Sequence, residues 1–256
     1  MLTEFDIHPS LAAASIDRAR TWYAGKLGLV PRRDHGDLLV YAIGDSMFTV
    51  YQTPWAGTAK NTVAVENVSD LRAEVARLKA RGVVFEDYDM PGLYTEGGIA
   101  EVGDGGLLAW FKDSEGNILS LAQWPGDDRP PGIAPMIAAA DLARAKAWYA
   151  GRLGLTPEQE MDAALNYRSG GSSFTIYLTE FAGTAKNTVS VWRVADVRAE
   201  TDALRARGVV FEDYDSGDRR AVDGLITDPE MGMAAWFTDS EGNVLGIAQD
   251  ARAAAT

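Results

Sequence analysis

An apolar run at Ile7–Ala13 is followed by a helical rhythm in which Ile16, Ala19, Tyr23 and Leu27 are spaced three, four and four residues apart. The run predicts a strand, and the rhythm predicts an amphipathic helix that Ser15 caps and Gly28 ends. Further strands are expected at 30–34, 38–43 and 46–52, the last two joined by a tight turn at Gly44-Asp45. The pattern then restarts with a strand at Thr62–Glu66 and a helix near 68–81, whose Leu71, Val75 and Leu78 form one stripe before Gly82. Strands near 83–87, 99–103, 107–112 and 117–123 complete it. Between the last two, Asp113-Ser114-Glu115-Gly116-Asn117 reads as a polar turn in which Gly116 is free to take a positive φ. Each pattern is a βαβββ module.

The first half is then repeated. Trp22–Leu29 (WYAGKLGL) is answered by Trp148–Leu155 (WYAGRLGL), 126 residues on. Ala56–Val63 returns at Ala182–Val189, Ala80–Asp89 at Ala206–Asp215, and Trp110–Asn117 at Trp236–Asn243, all in that register. Four blocks in one register mean duplication of a whole domain. The segment 124–132 (WPGDDRPPG) suits an exposed connector, because proline lacks an amide donor. The division expected is a first domain at 1–124, a linker at 125–132 and a second domain at 133–256, with four modules in all.

Composition narrows the function classes. The chain has 256 residues, 46% of them hydrophobic, enough for packed cores. No apolar run approaches the ~20 residues of a membrane span. The start, Met-Leu-Thr-Glu-Phe-Asp, carries acids where a signal peptide carries bases, so a cytoplasmic location is expected. The absence of cysteine removes disulfides, thiolate metal sites and a cysteine nucleophile. A net charge of −13 argues against nucleic-acid or anionic-membrane partners. The usual hydrolase, nucleotide and dinucleotide motifs are missing. Glu86-Asp87-Tyr88-Asp89, repeated at Glu212–Asp215, reads as a solvated strand edge, since alternation parts its carboxylates.

Trp22-Tyr23 with Leu27-Gly28-Leu29, and Phe111 through Asp113-Ser114-Glu115-Gly116-Asn117, make the first half resemble the vicinal oxygen chelate superfamily of glyoxalases, bleomycin-resistance proteins and extradiol dioxygenases. Trp148-Tyr149, Leu153-Gly154-Leu155 and Phe237–Asn243 do so in the second. The resemblance implies an α+β fold, a tandem duplication of paired βαβββ modules whose open U-shaped mixed sheets carry helices outside. It also implies metal ligands on the first and last strands of each module. Those positions hold His8, Thr49, Thr62 and Ser120 in the first half and Ala134, Thr175, Thr188 and Gly246 in the second. Only His8 is a ligand type that a transition metal favours, so no metal and no other cofactor is expected. His35 is expected to be solvated in a turn.

Alternation from the ligand positions aims Met47, Thr49 and Tyr51 at the groove, with Thr62, Ala64 and Glu66 and with Ser120, Ala122 and Trp124. Trp110 is assigned to the groove and Phe111 to the core. The second half contributes Thr175, Tyr177, Thr188, Trp192 and Trp236. Such a lining suits a flat or amphipathic organic molecule. The leading expectation is a metal-free protein that binds an aromatic or cationic small molecule. The alternatives are a metal-independent enzyme of lyase or isomerase type, with His8 as acid or base and Glu66 as its carboxylate helper, and a metal-dependent lyase or dioxygenase. A monomer with paired domains or a homodimer is expected.

Overall fold

The computed structural model describes residues 1–90, 92–103, 105–126, 131–213, 221–229 and 231–251. Contacts divide the chain into two units, Pro9–Met136 and Met1–His8 with Ile137–Thr256. Each contains two βαβββ modules. The first eight residues therefore join the second half, which differs from a division at the connector. Their anchorage explains it: Ser169 Oγ donates to the carbonyls of Leu2 and Phe5 at 2.7 and 2.9 Å, and Asp6 accepts from the Gly171 amide at 2.7 Å. Of the expected linker, residues 127–130 lie outside the described residues, and Gly132 already begins a strand.

In the unit Pro9–Met136, β1 (Ile7–Ala13) leads into α1 (Ile16–Trp22), whose Ser15 cap accepts from the Arg18 amide. A π-helical turn, Tyr23–Leu27, extends α1 to Gly28, which has φ 76°. A Cβ there would also meet the Arg81 guanidinium at 2.5 Å, so glycine suits both the turn and the space. Strands β2 (Arg33–Asp34), β3 (Leu38–Ile43) and β4 (Ser46–Gln52) run antiparallel to their neighbours, and β4 lies parallel to β1.

The second module of this unit comprises β5 (Thr62–Asn67), α2 (Leu71–Ala80), the short pair β6 (Asp89–Met90) and β7 (Leu93–Tyr94), and β8 (Ala100–Val102), β9 (Gly106–Lys112) and β10 (Ile118–Gln123). β10 pairs parallel with β5 and antiparallel with β9, and Gly132–Pro135 of β11 (Gly132–Ala139) pairs with β5. The strand expected at 83–87 is absent: Phe85 bridges Phe111, while Val84 is 78% exposed. The strand expected at 30–34 shrinks to two residues.

The other unit repeats this plan with α3 (Leu142–Trp148), β12 (Gln159–Met161), β13 (Ala164–Ser169), β14 (Ser172–Leu178), β15 (Thr188–Arg193), α4 (Val197–Ala206), β16 (Leu225–Asp228), β17 (Gly232–Thr238) and β18 (Val244–Gln249). β15 and β18 are parallel, and β17 and β16 follow antiparallel. Helices cover one face of these strands. The buried aromatic stacks Tyr23–Tyr41–Phe48 and Tyr149–Tyr167–Phe174 sit at matching places under α1 and α3. No helix among the described residues is long and apolar enough to cross a membrane.

Candidate functional site

The turn at 113–117 fixes the strands β9 and β10 that carry the candidate site. The Asp113, Glu115 and Asn117 side chains of this polar turn are buried. Asp113 Oδ1 accepts from the amides of Glu115 and Asn117, both at 2.9 Å, and Oδ2 accepts from the Tyr23 hydroxyl and Asn117 Nδ2. Asn117 Nδ2 also donates to the Ala12 carbonyl at 2.8 Å. Glu115 accepts from the Ala14 and Ser15 amides and takes a two-point ion pair from Arg18. Asp239, Glu241 and Asn243 repeat this network with Tyr149, Ala140, Asp141 and Arg144. The buried Asp and Glu carboxylates of both turns are thereby used inside the fold, which makes them structural.

Across β9 and β10, Trp110 lies opposite Ser120, and Phe111 opposite Leu119. Phe111 is buried on the helix-covered face, stacked on Trp22 and edge-on to Phe85. Trp110 is half-buried on the other face, where the Tyr88 ring meets it edge-on at 5.4 Å. The Glu86 amide donates to the Trp110 carbonyl at 2.8 Å, and the Tyr88 amide to Thr95 Oγ1 at 2.7 Å, so both rings are backed by backbone bonds. Burial first, and Glu86 second, push the Tyr88 phenol above its ordinary pKa. Tyr88 was not singled out as a site residue; its place in a supposed strand edge concealed it. Asp87 in that segment accepts from the Gly98 amide, and in the repeat Tyr214 and Asp215 lie outside the described residues.

A β-bulge changes which β5 residues share this open face. Ile118 pairs with Thr62, but Leu119 pairs with Ala64, so one extra residue, Val63, is inserted. Beyond it Val65 lies beside Ser120, while Ala64 and Glu66 lie beside Leu119 and Leu121 on the helix-covered face. The expectation that Glu66 faces the groove is corrected accordingly. The same bulge interrupts β15, where Trp192 pairs with Ile247. Trp192 is fully buried, stacked on Phe237 at 6.4 Å and edge-on to Phe174, and its Nε1 donates to Ser169 Oγ at 2.9 Å. It is a core residue, not a groove residue.

The remaining candidates fall into separate strand pairs. Thr49 and Tyr51 are half-buried on β4, and Thr49 donates to Ser10 of β1 at 3.1 Å. His8 is 9% exposed on β1. Thr62 and Ser120 lie on β5 and β10, in a different sheet from β1 and β4. His8 and Glu66 thus lie on strands of different sheets. Trp124 is 41% exposed and covers Gly106, where a Cβ would meet its ring at 2.5 Å. In the other unit, Thr175 donates to Asn166 at 2.8 Å, Tyr177 lies opposite Ala164, Thr188 beside Val244, and half-buried Trp236 opposite Gly246.

A metal of the kind the fold suggests does not fit these residues. The positions on β1, β4, β5 and β10 offer one imidazole and neutral hydroxyls, divided between two sheets. Among the described residues no three His, Cys, Asp or Glu side chains are grouped to hold a metal ion.

Residues 133–247 match the family model for the Glyoxalase/Bleomycin resistance protein/Dioxygenase superfamily. No curated protein matches. Among solved structures, glyoxalase I from Zea mays superposes with a TM-score of 0.66 at 14% identity, covering 96% of this chain and 93% of that one. A putative dioxygenase from Bacillus subtilis superposes with a TM-score of 0.60 at 16% identity, covering 97% and 86%. At such identities the likeness is one of fold. Residues 133–247 thus carry the sequence match to that superfamily, and the first half, which repeats them 126 residues earlier, carries the same fold.

Proposed function

We propose that the protein binds an aromatic or cationic organic molecule without a metal, and that the open face of β9 and β10 around Trp110 is the working site. The observation that supports this most is the pair of half-buried rings of Trp110 and Tyr88 beside Ser120, on the face opposite buried Phe111. Two ring faces set edge-to-face present a flat surface and a wall, while the hydroxyl supplies an orienting polar contact. A net charge of −13 favours a cationic ligand over an anionic one. What weighs against the alternative of proton transfer by His8 with Glu66 is the β5 bulge, which turns Glu66 to the helix-covered face.

Titration of intrinsic tryptophan fluorescence with a panel of planar aromatic and cationic compounds tests the reading. A saturable change that Trp110→Ala abolishes is expected. No saturable change with any planar compound, or a change that survives Trp110→Ala undiminished, counts against it.

A further inference from the structure

The two halves fill one core position in opposite ways. In the second, Trp192 is buried against Phe174 and Phe237, with its ring N–H satisfied by Ser169. In the first, the corresponding residue is Glu66, and Ile43 replaces the serine. The missing indole leaves a cavity of about 10 Å³ bounded by Glu66, Tyr23, Leu27, Phe48, Phe111 and Ile133. That is room for one water-sized group. Glu66 is half-buried, and among the described residues no protein group is paired with its carboxylate. The charged groups that act on it from α2, Glu74 and Arg77, pair with each other, and the Tyr23 hydroxyl is committed to Asp113.

We propose that this pocket receives a primary ammonium group, which pairs with Glu66 among the faces of Tyr23, Phe48 and Phe111, its alkyl chain leaving past Leu27 and Ile43. An ammonium is the size of a water molecule, carries the donors the carboxylate lacks, and is attracted to aromatic faces. The second half has no such site because Trp192 fills it. Burial first, then Glu74, raise the Glu66 pKa to about 7 against the lowering effect of Arg77. Since the pair needs the carboxylate ionised, capture strengthens as pH rises through that value. Glu66 lies on the opposite face of the strands from Trp110, and Ser120 borders both sites.

Thermal unfolding of the full chain at pH 8 in 100 mM methylammonium chloride, sodium chloride or tetramethylammonium chloride tests the site. Methylammonium is expected to raise the midpoint by roughly 2–4 °C over sodium, as for a ligand at several times its dissociation constant. Tetramethylammonium, too large for the cavity, is expected to give no rise. Glu66→Gln and, separately, Glu66→Trp with Ile43→Ser, which copies the packing of the second half, should each remove the methylammonium effect. No methylammonium-specific rise in the unaltered protein overturns the proposal, and so does an equal rise in a folded Glu66 variant.

Discussion

The Tyr23 hydroxyl donates to Asp113 Oδ2 at 2.9 Å, and Tyr149 does the same to Asp239 at 2.9 Å. Each bond ties the turn after α1 or α3 to the turn between the last two strands of the unit. Burial raises the Asp113 pKa more than its hydrogen bonds from Asn117, the Glu115 amide and Tyr23 lower it, so the carboxylate depends on keeping every donor. Tyr23→Phe removes one. Urea denaturation is expected to show a loss of about 1–3 kcal/mol. A change under half a kilocalorie would show that the bond carries no such weight.

Glu115 and Glu241 contribute to the acid limb of stability. Burial works to raise the Glu115 pKa, but the bonds from Arg18, Ser15, Ser114 and Ala14 outweigh it and hold the group below its ordinary value. A depressed carboxylate contributes stability that is present above its unfolded pKa and lost as pH falls. Glu115→Gln is therefore expected to flatten the fall of the melting midpoint between about pH 5 and pH 3, leaving the part due to Glu241. An unchanged slope would contradict this.

Glu66 acts with the opposite sign. Its folded pKa of about 7 lies above the ordinary 4.5. The associated stability is present below the ordinary value and lost as pH rises through the folded one, on the order of 3 kcal/mol at most. Chemical denaturation of Glu66→Gln in sodium salts should lack the decline between pH 5 and pH 8 that the unaltered protein shows. Parallel profiles for the two would refute the assignment.

Trp192 belongs to the packed core of its unit, so Trp192→Ala should cost about 3–5 kcal/mol and strand the Ser169 hydroxyl. Denaturant titration measures it. A cost below about 1 kcal/mol is what a groove-facing residue would give.

Periodicity placed β1, β3, β4 and the start of α1 within a residue or two, and α2 within three, because each buries one face and repeats its apolar spacing over more than one turn or pleat. It overestimated 83–87, where Val84 faces solvent and only Phe85 touches the sheet. The facing of Glu66 and Trp192 was not legible, since one inserted residue in β5 or β15 inverts the parity and leaves no composition signal. The buried role of Asp113, Glu115 and Asn117 had a signal: DSEGN returns unchanged in the second half, more than a solvated turn demands. Tyr88 was hidden because its segment reads as a strand, whereas the chain there makes loop contacts that turn its ring onto Trp110.

Amide hydrogen exchange of the full chain, with and without the tightest-binding compound of the fluorescence panel, tests ligand capture on the β9–β10 face most directly. Protection is expected to rise in 106–112 and 118–123 and around Tyr88. Protection confined to other segments, with these unchanged, would contradict the Trp110 face as the binding site.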